Sequence, residues 1–183
     1  MLFTKVSPVG VDIPIQKLQT HLHDKLLGVW GIDTSLYHAY GRCYRNQKDA
    51  GYVAEVYTGL NEYREVYLDD RLAALSFFGL TGDVDYNIVN RADVHLIFWV
   101  NVERLKQLAH RGDEEVRKDV QVIAKDKLFG FTLSGLRLGI DRVLQEYRGM
   151  TSQSTPDGLK FRDMHPFHCF RFDFSLQYDI KHC

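Results

Sequence analysis

The stretch that decides the fold is Phe170-Arg171-Phe172-Asp173-Phe174-Ser175-Leu176-Gln177-Tyr178-Asp179-Ile180. Phe170, Phe172, Phe174, Leu176, Tyr178 and Ile180 take every second position, and Arg171, Asp173, Ser175, Gln177 and Asp179 fill the positions between. Side chains along a strand point alternately to the two faces of a sheet. The unbroken period of two therefore predicts a half-buried β-strand with an aromatic inner face and a polar outer one.

A second strong strand is expected at Asp93–Val100, with Val94, Leu96, Phe98 and Val100 on one face and Asp93, His95, Ile97 and Trp99 on the other. Weaker strand patterns occupy Tyr37–Tyr44, Gly51–Tyr57 and Glu65–Leu68, and Ala73–Phe78 is apolar on both faces, as suits a central strand. Gln47-Lys-Asp-Ala-Gly51 and Asp69-Asp-Arg71 carry turn chemistry and suggest hairpins. Residues 79–92, with Gly79, Gly82, Asp83, Asp85 and Asn90, read as a loop.

Helical spacing appears twice. Ile15, Leu18, Leu22 and Leu26 form one stripe, predicting a helix over 13–27 with Asp12 as N-cap, Pro14 in the first turn and Gly28 as its stop; His21 and His23 lie off that stripe. Val116, Val120, Ile123 and Ala124 predict a helix over 114–127, capped by Asp113, with acids in its first turn. A short helix is expected over 102–110. Residues 129–147 fit strand or helix; Gly135 and Gly139 weaken the helix, so 139–147 is read as strand. Residues 148–163 read as a polar loop or arm. The sum is one α+β domain over residues 1–183. It is expected to have a mixed, mainly antiparallel sheet packed by two or three helices, with 79–92 and 148–163 as extended loops or arms.

Composition narrows the function. Lys and Arg number 23 against 24 Asp and Glu, a net charge of −1, so the basic excess of a dedicated nucleic-acid binder is missing. Cys43, Cys169 and Cys183 are odd in number and widely spaced, which is no disulfide framework and points to a reducing compartment. Met1–Pro8 has no apolar core of a secretory signal, and the longest apolar run, Leu96–Val100, is far too short to span a bilayer.

Four constellations carry possible chemistry. His165-x-x-His168-Cys169 offers zinc donors, with His182 or Cys183 as further ligands. A strand sends His165 and His168 to opposite faces, however, and a structural lead-in to the last strand is the commoner reading. Asp83-x-Asp85, with Asp69-Asp70, offers carboxylates for a hard cation such as magnesium, but is also ordinary turn chemistry. Asp93 and His95 share a strand face with Trp99 and resemble an oriented general base, yet no GxSxG elbow accompanies them. As a nucleophile, Cys43 or Cys169 would need activation that the sequence does not display; a polar face against a neighbouring subunit is the default. Tyr37, Tyr40, Tyr44, Tyr52, Tyr57, Tyr63 and Tyr67, interleaved with Arg42, Arg45 and Lys48, suit base stacking or, better at this net charge, a protein interface. No P-loop or Rossmann glycine pattern occurs.

The order helix, several strands, loop, strong strand, helix and closing strands resembles the small α+β subunits that form rings in the neck and tail of tailed bacteriophages. Arg91-Ala-Asp-Val-His-Leu-Ile-Phe-Trp-Val-Asn-Val-Glu-Arg-Leu105, followed by Asp113-Glu-Glu-Val-Arg-Lys-Asp-Val120, is similar to small virion proteins of crAss-like and related phages and prophages; so is Asp163-Met-His-Pro-Phe-His-Cys-Phe-Arg-Phe-Asp-Phe174. The resemblance implies a head–tail connector, ring or tail-terminator protein of the virion, assembled in the host cytoplasm. Its implied partners are copies of itself, neighbouring neck, portal or tail proteins, and passively the DNA in the channel, with no membrane. It implies no catalytic, cofactor-binding or metal-ligating residues and no cofactor. The competing expectation is a small metal-dependent enzyme or hydrolase using His165 and His168 with Asp93 and His95; a nucleic-acid accessory factor is a third.

Overall fold

The computed structural model describes residues 1–48, 51–106, 112–127, 129–147 and 165–179. Eight strands are present among them: β1 (Leu2–Phe3), β2 (Tyr37–Lys48), β3 (Gly51–Gly59), β4 (Glu62–Glu65), β5 (Ala74–Asp85), β6 (Asn90–Asn101), β7 (Phe131–Leu138) and β8 (Phe167–Tyr178). The helices are α1 (Asp12–Trp30), α2 (Asp113–Asp126) and the single turn α3 (Ile140–Val143). One sheet runs β4-β3-β2-β5-β6-β8-β7, with β1 beside the start of β2. Only the β1–β2 and β2–β5 pairs are parallel, so the protein is α+β with a mixed, mainly antiparallel sheet.

The alternating C-terminal stretch forms β8, and all twelve of its residues pair with β6, from Asn90↔Tyr178 to Asn101↔Phe167. On one face Phe170, Phe172, Phe174, Leu176 and Tyr178 join Val94, Leu96, Phe98 and Val100 under α1 and α2. The Phe98 and Phe170 rings stack across the strands with centroids 5.3 Å apart. β5 sits fourth of seven along the sheet, as its two apolar faces require.

The other face is also covered, against expectation. Leu75, Phe77, Ile97, Trp99 and Cys169 pack beneath Ile140, Val143, Leu144 and Tyr147, with Val66, Leu68 and Leu72 closing the cluster. The polar outer face expected for β8 is thus only partial, and Arg171 is among the most deeply buried side chains, at 1% exposure.

Several boundaries move for local reasons. α1 runs two residues past Gly28 because Trp30, the next i+4 position of its stripe, is fully buried; the helix ends at Gly31, in the left-handed conformation at φ 59°. Asp12 lies inside α1, with Val11 as its N-cap residue, and the Asp12 carboxylate faces Lys5 and Arg42 instead of capping. α2 is capped by the Glu115 carboxylate, which accepts from the Gly112 N–H at 2.9 Å, and Asp113 is its first residue.

Residues 79–92 are not a loop. β5 and β6 continue as a hairpin to the pair Asp85↔Arg91, leaving 86–89 as the tip. Glu65–Leu68 is not a strand; β4 lies at Glu62–Glu65, and Val66 and Leu68 are buried beyond it. Asp69–Arg71 forms an Asx turn but joins strands that are not neighbours, so it makes no hairpin. The helix expected at 102–110 is a 3₁₀ turn at Val102–Arg104, and residues 107–110 lie outside the described residues. The strand preferred for 139–147 is instead α3 and a following 3₁₀ turn, Gln145–Tyr147. Gly139, at φ 89°, ends β7, and the buried residues Ile140, Val143, Leu144 and Tyr147 then recur with helical spacing. The arm expected at 148–163 lies outside the described residues.

Candidate functional site

Polar side chains gather where β5, β6 and β8 meet the α3 segment. Gly79, His95, Asp173 and Gly135 pair in register across β5, β6, β8 and β7. His95 is fully buried; its Nε2 shares a 2.7 Å hydrogen bond with the Tyr147 hydroxyl, and its Nδ1 lies 3.1 Å from Thr81 Oγ1. Burial, with the charge of Arg171 nearby, pushes the imidazole down to about 3, so His95 is neutral. Burial also pushes the Tyr147 phenol well above its ordinary value.

Arg171 extends the network. Its guanidinium donates to Asp173 Oδ1 at 2.5 Å, to Glu146 Oε1 at 3.2 Å and to Thr81 Oγ1 at 3.3 Å. Arg137 donates to the other Asp173 oxygen at 2.9 Å. Thr81, Asp93, Ser134, Arg137, Arg171 and Asp173 line an open depression of about 270 Å³ here. The charges of Arg171 and Arg137 are matched by Asp173 and Glu146, and each nitrogen of the buried guanidinium donates one hydrogen bond. This arrangement joins Tyr147 and α3 to the sheet. Both ring nitrogens of His95 are occupied, by the Thr81 and Tyr147 hydroxyls.

The constellations expected from sequence separate in space. His165 is exposed and faces Glu103 at 3.7 Å. His168 is buried against α2, 3.4 Å from Asp113 and 3.5 Å from Arg117, and Cys169 is buried in the cluster on the opposite sheet face. His182 and Cys183 lie outside the described residues. Among the described residues, no group of three or more His, Cys, Asp or Glu side chains converges as a metal ligand set.

Asp83 and Asp85 sit on the β5 arm of the hairpin, and Asp69 pairs with Arg71 far along the chain. Asp93 is exposed, whereas His95 is buried with Tyr147 and Thr81 as its partners. Burial pushes the Cys43 thiol up to about 12, the reverse of nucleophile activation.

Part of the tyrosine run stays together: the Tyr63 ring meets those of Tyr44 and Tyr57, with centroids 5.5 and 5.6 Å apart. Tyr37 is in the core, hydrogen-bonded to Ser76 at 2.9 Å. Arg42 stacks over Tyr44 and Arg45 over Tyr52. Lys5, Arg42 and the Tyr44 hydroxyl converge on Asp12, with Lys5 at 2.8 Å and Arg42 at 2.9 Å.

Sequence reasoning missed Arg171, Thr81, Glu146 and Tyr147. Alternation placed Arg171 on the solvent side, and only the i, i+3, i+4, i+7 spacing of Ile140, Val143, Leu144 and Tyr147 signalled a covering helix.

Large apolar side chains are exposed at several places among the described residues. The hairpin tip exposes Tyr86 at 73% and Ile88 at 98%. At the sheet edge, Leu136 and Leu138 of β7 lie half-open beside α2. Among the described residues no helix is long and apolar enough to cross a membrane. Comparison with protein-family models, curated proteins and solved structures finds no match to this chain.

Proposed function

We propose that the chain is a structural, non-catalytic subunit of a tailed-bacteriophage particle, forming a ring at the head–tail junction of connector or tail-terminator type. The observation that carries this reading is where the apolar surface lies. Both faces of the sheet are buried, the polar groups around His95 and Arg171 are bonded to one another, and the most exposed apolar side chain of the described hairpin, Ile88, stands at a projecting tip. Apolar side chains exposed side by side, here Tyr86, Ile88 and Val89, suit an association surface. The resemblance of Arg91–Leu105, Asp113–Val120 and Asp163–Phe174 to small virion proteins supplies the particular assembly. Copies that meet through different patches close into rings, which suits a neck or tail layer through which DNA passes.

Quantitative mass spectrometry of purified particles, produced from the genome that carries this gene, tests the proposal. The expected result is a fixed stoichiometry of several copies per particle, with portal, capsid or tail genes flanking the coding sequence. Absence of the protein from purified particles overturns it.

A further inference from the structure

The helical layer does not reach the edge of the sheet. α2 buries Val116, Val120, Ile123 and Ala124 over the inner strands, while β7 is the outermost strand of the described sheet. A groove of about 480 Å³ remains between them, walled by Leu136, Leu138 and Phe172 on one side and Lys118 and Gln121 on the other. It continues to Leu133, Phe174 and Lys125. Leu136 and Leu138 are 47% and 40% exposed within it.

The edge itself is a poor template for strand addition. The β7–β8 register breaks between Leu133 and Gly135, and a bulge with a charged neighbour, here Arg137, disfavours further pairing. The groove therefore suits inserted side chains better than an added strand.

The hairpin tip of the same fold has the complementary character. Tyr86, Ile88 and Val89 are exposed at its end, and Asp83 and Asp85 lie just behind them. Lys118 and Lys125 of the groove have no ion-pair partner among the described residues. The groove acids are engaged: Glu114 pairs with Arg117, and Glu115 caps α2. Asn90 pairs with Tyr178, and β8 separates β6 from β7, so a tip projects beyond the strand ends two strands away from the groove of its own chain.

We propose that the β5–β6 hairpin tip of one copy seats in the α2–β7 groove of a second copy. Ile88 and Tyr86 enter between Leu136, Leu138 and Phe172, and Asp83 and Asp85 face Lys118 and Lys125. Tip and groove are different patches, so the contact is heterologous and each copy offers one of each. The inference rests on the ring-subunit reading and specifies how the subunits meet.

The test uses the full chain in native mass spectrometry and sedimentation. Ile88→Asp at the tip and Leu136→Asp in the groove each weaken self-association roughly tenfold or more. An equimolar mixture of the two retains one intact contact and forms mixed dimers that stop there. Circular dichroism establishes that each variant is folded, with Ile88→Ser and Leu136→Gln as milder substitutes. If wild type and both variants assemble equally well, the contact is wrong while the ring reading stands. Loss of assembly in both variants without mixed dimers also overturns the contact. A wild-type chain that stays monomeric at every concentration overturns both readings.

Discussion

Tyr147 and His95 share a 2.7 Å hydrogen bond directly above Gly79, where a Cβ would lie 1.8 Å from the tyrosine oxygen and 2.2 Å from His95 Nε2. Gly79 pairs with His95 across β5 and β6, so the missing side chain is what lets the tyrosine reach the histidine. Gly79→Ala is expected to cost roughly 2–4 kcal/mol, through overpacking and the lost buried hydrogen bond. Tyr147→Phe, which removes the bond without adding an atom, costs about 1 kcal/mol. Urea midpoints for the two variants check the order, and an unchanged midpoint for Gly79→Ala would contradict the close approach.

His95 ties stability to acid. Its ordinary value of 6.5 applies to the unfolded chain, and burial lowers it to about 3 in the fold. Between those values the unfolded state binds a proton that the folded state does not. Stability is therefore fully present above pH 6.5 and is lost as pH falls towards 3. At about 1.4 kcal/mol per pH unit, the loss by pH 5 is on the order of 2 kcal/mol. His95→Gln is expected to be less stable at neutral pH but to show a flatter decline between pH 6.5 and 5. Parallel pH profiles for His95→Gln and wild type would remove His95 as the cause.

Asp12 is the common anion for two cations and a phenol. Burial disfavours the Lys5 ammonium, yet its hydrogen bonds with Asp12 and Tyr44 and the Asp12 charge outweigh that and raise its pKa. Asp12→Ala leaves Lys5 and Arg42 without that partner. Each of these is 24% exposed, so the expected cost is about 2 kcal/mol, below that of breaking a fully buried pair. Chemical denaturation measures it, and a loss within error of zero would show that solvent screens the cluster.

Gln19 is buried at 2% exposure against β2 at Gly41, and neither its amide nitrogen nor its oxygen has a hydrogen-bond partner among the described residues. A buried amide without partners opposes folding, so an apolar side chain of similar size is expected to help. Gln19→Leu should raise stability by about 1 kcal/mol, read as a higher thermal midpoint. A lowered midpoint would mean that the amide is satisfied in solution.

Periodicity carried far in β8 and β6 because both strands are long and buried on the helix face. It carried less far where glycines intervened. Gly139 interrupts β7 and starts α3, and the two patterns overlap at Leu138 and Ile140, which fit either spacing. The hairpin at 82–91 escaped because its residues are polar or exposed; its pairing is a relation between β5 and β6, not a property of either segment.

By itself the sequence determined the α+β class, the two amphipathic helices and the two long alternating strands, since these follow from local spacing of apolar residues. Tertiary structure alone decided that the second sheet face is covered. α3 arrives there from a distant part of the chain, which buries Arg171 and silences His95. Alternation tells which residues share a face, but what lies over that face is set by contacts between segments far apart in sequence.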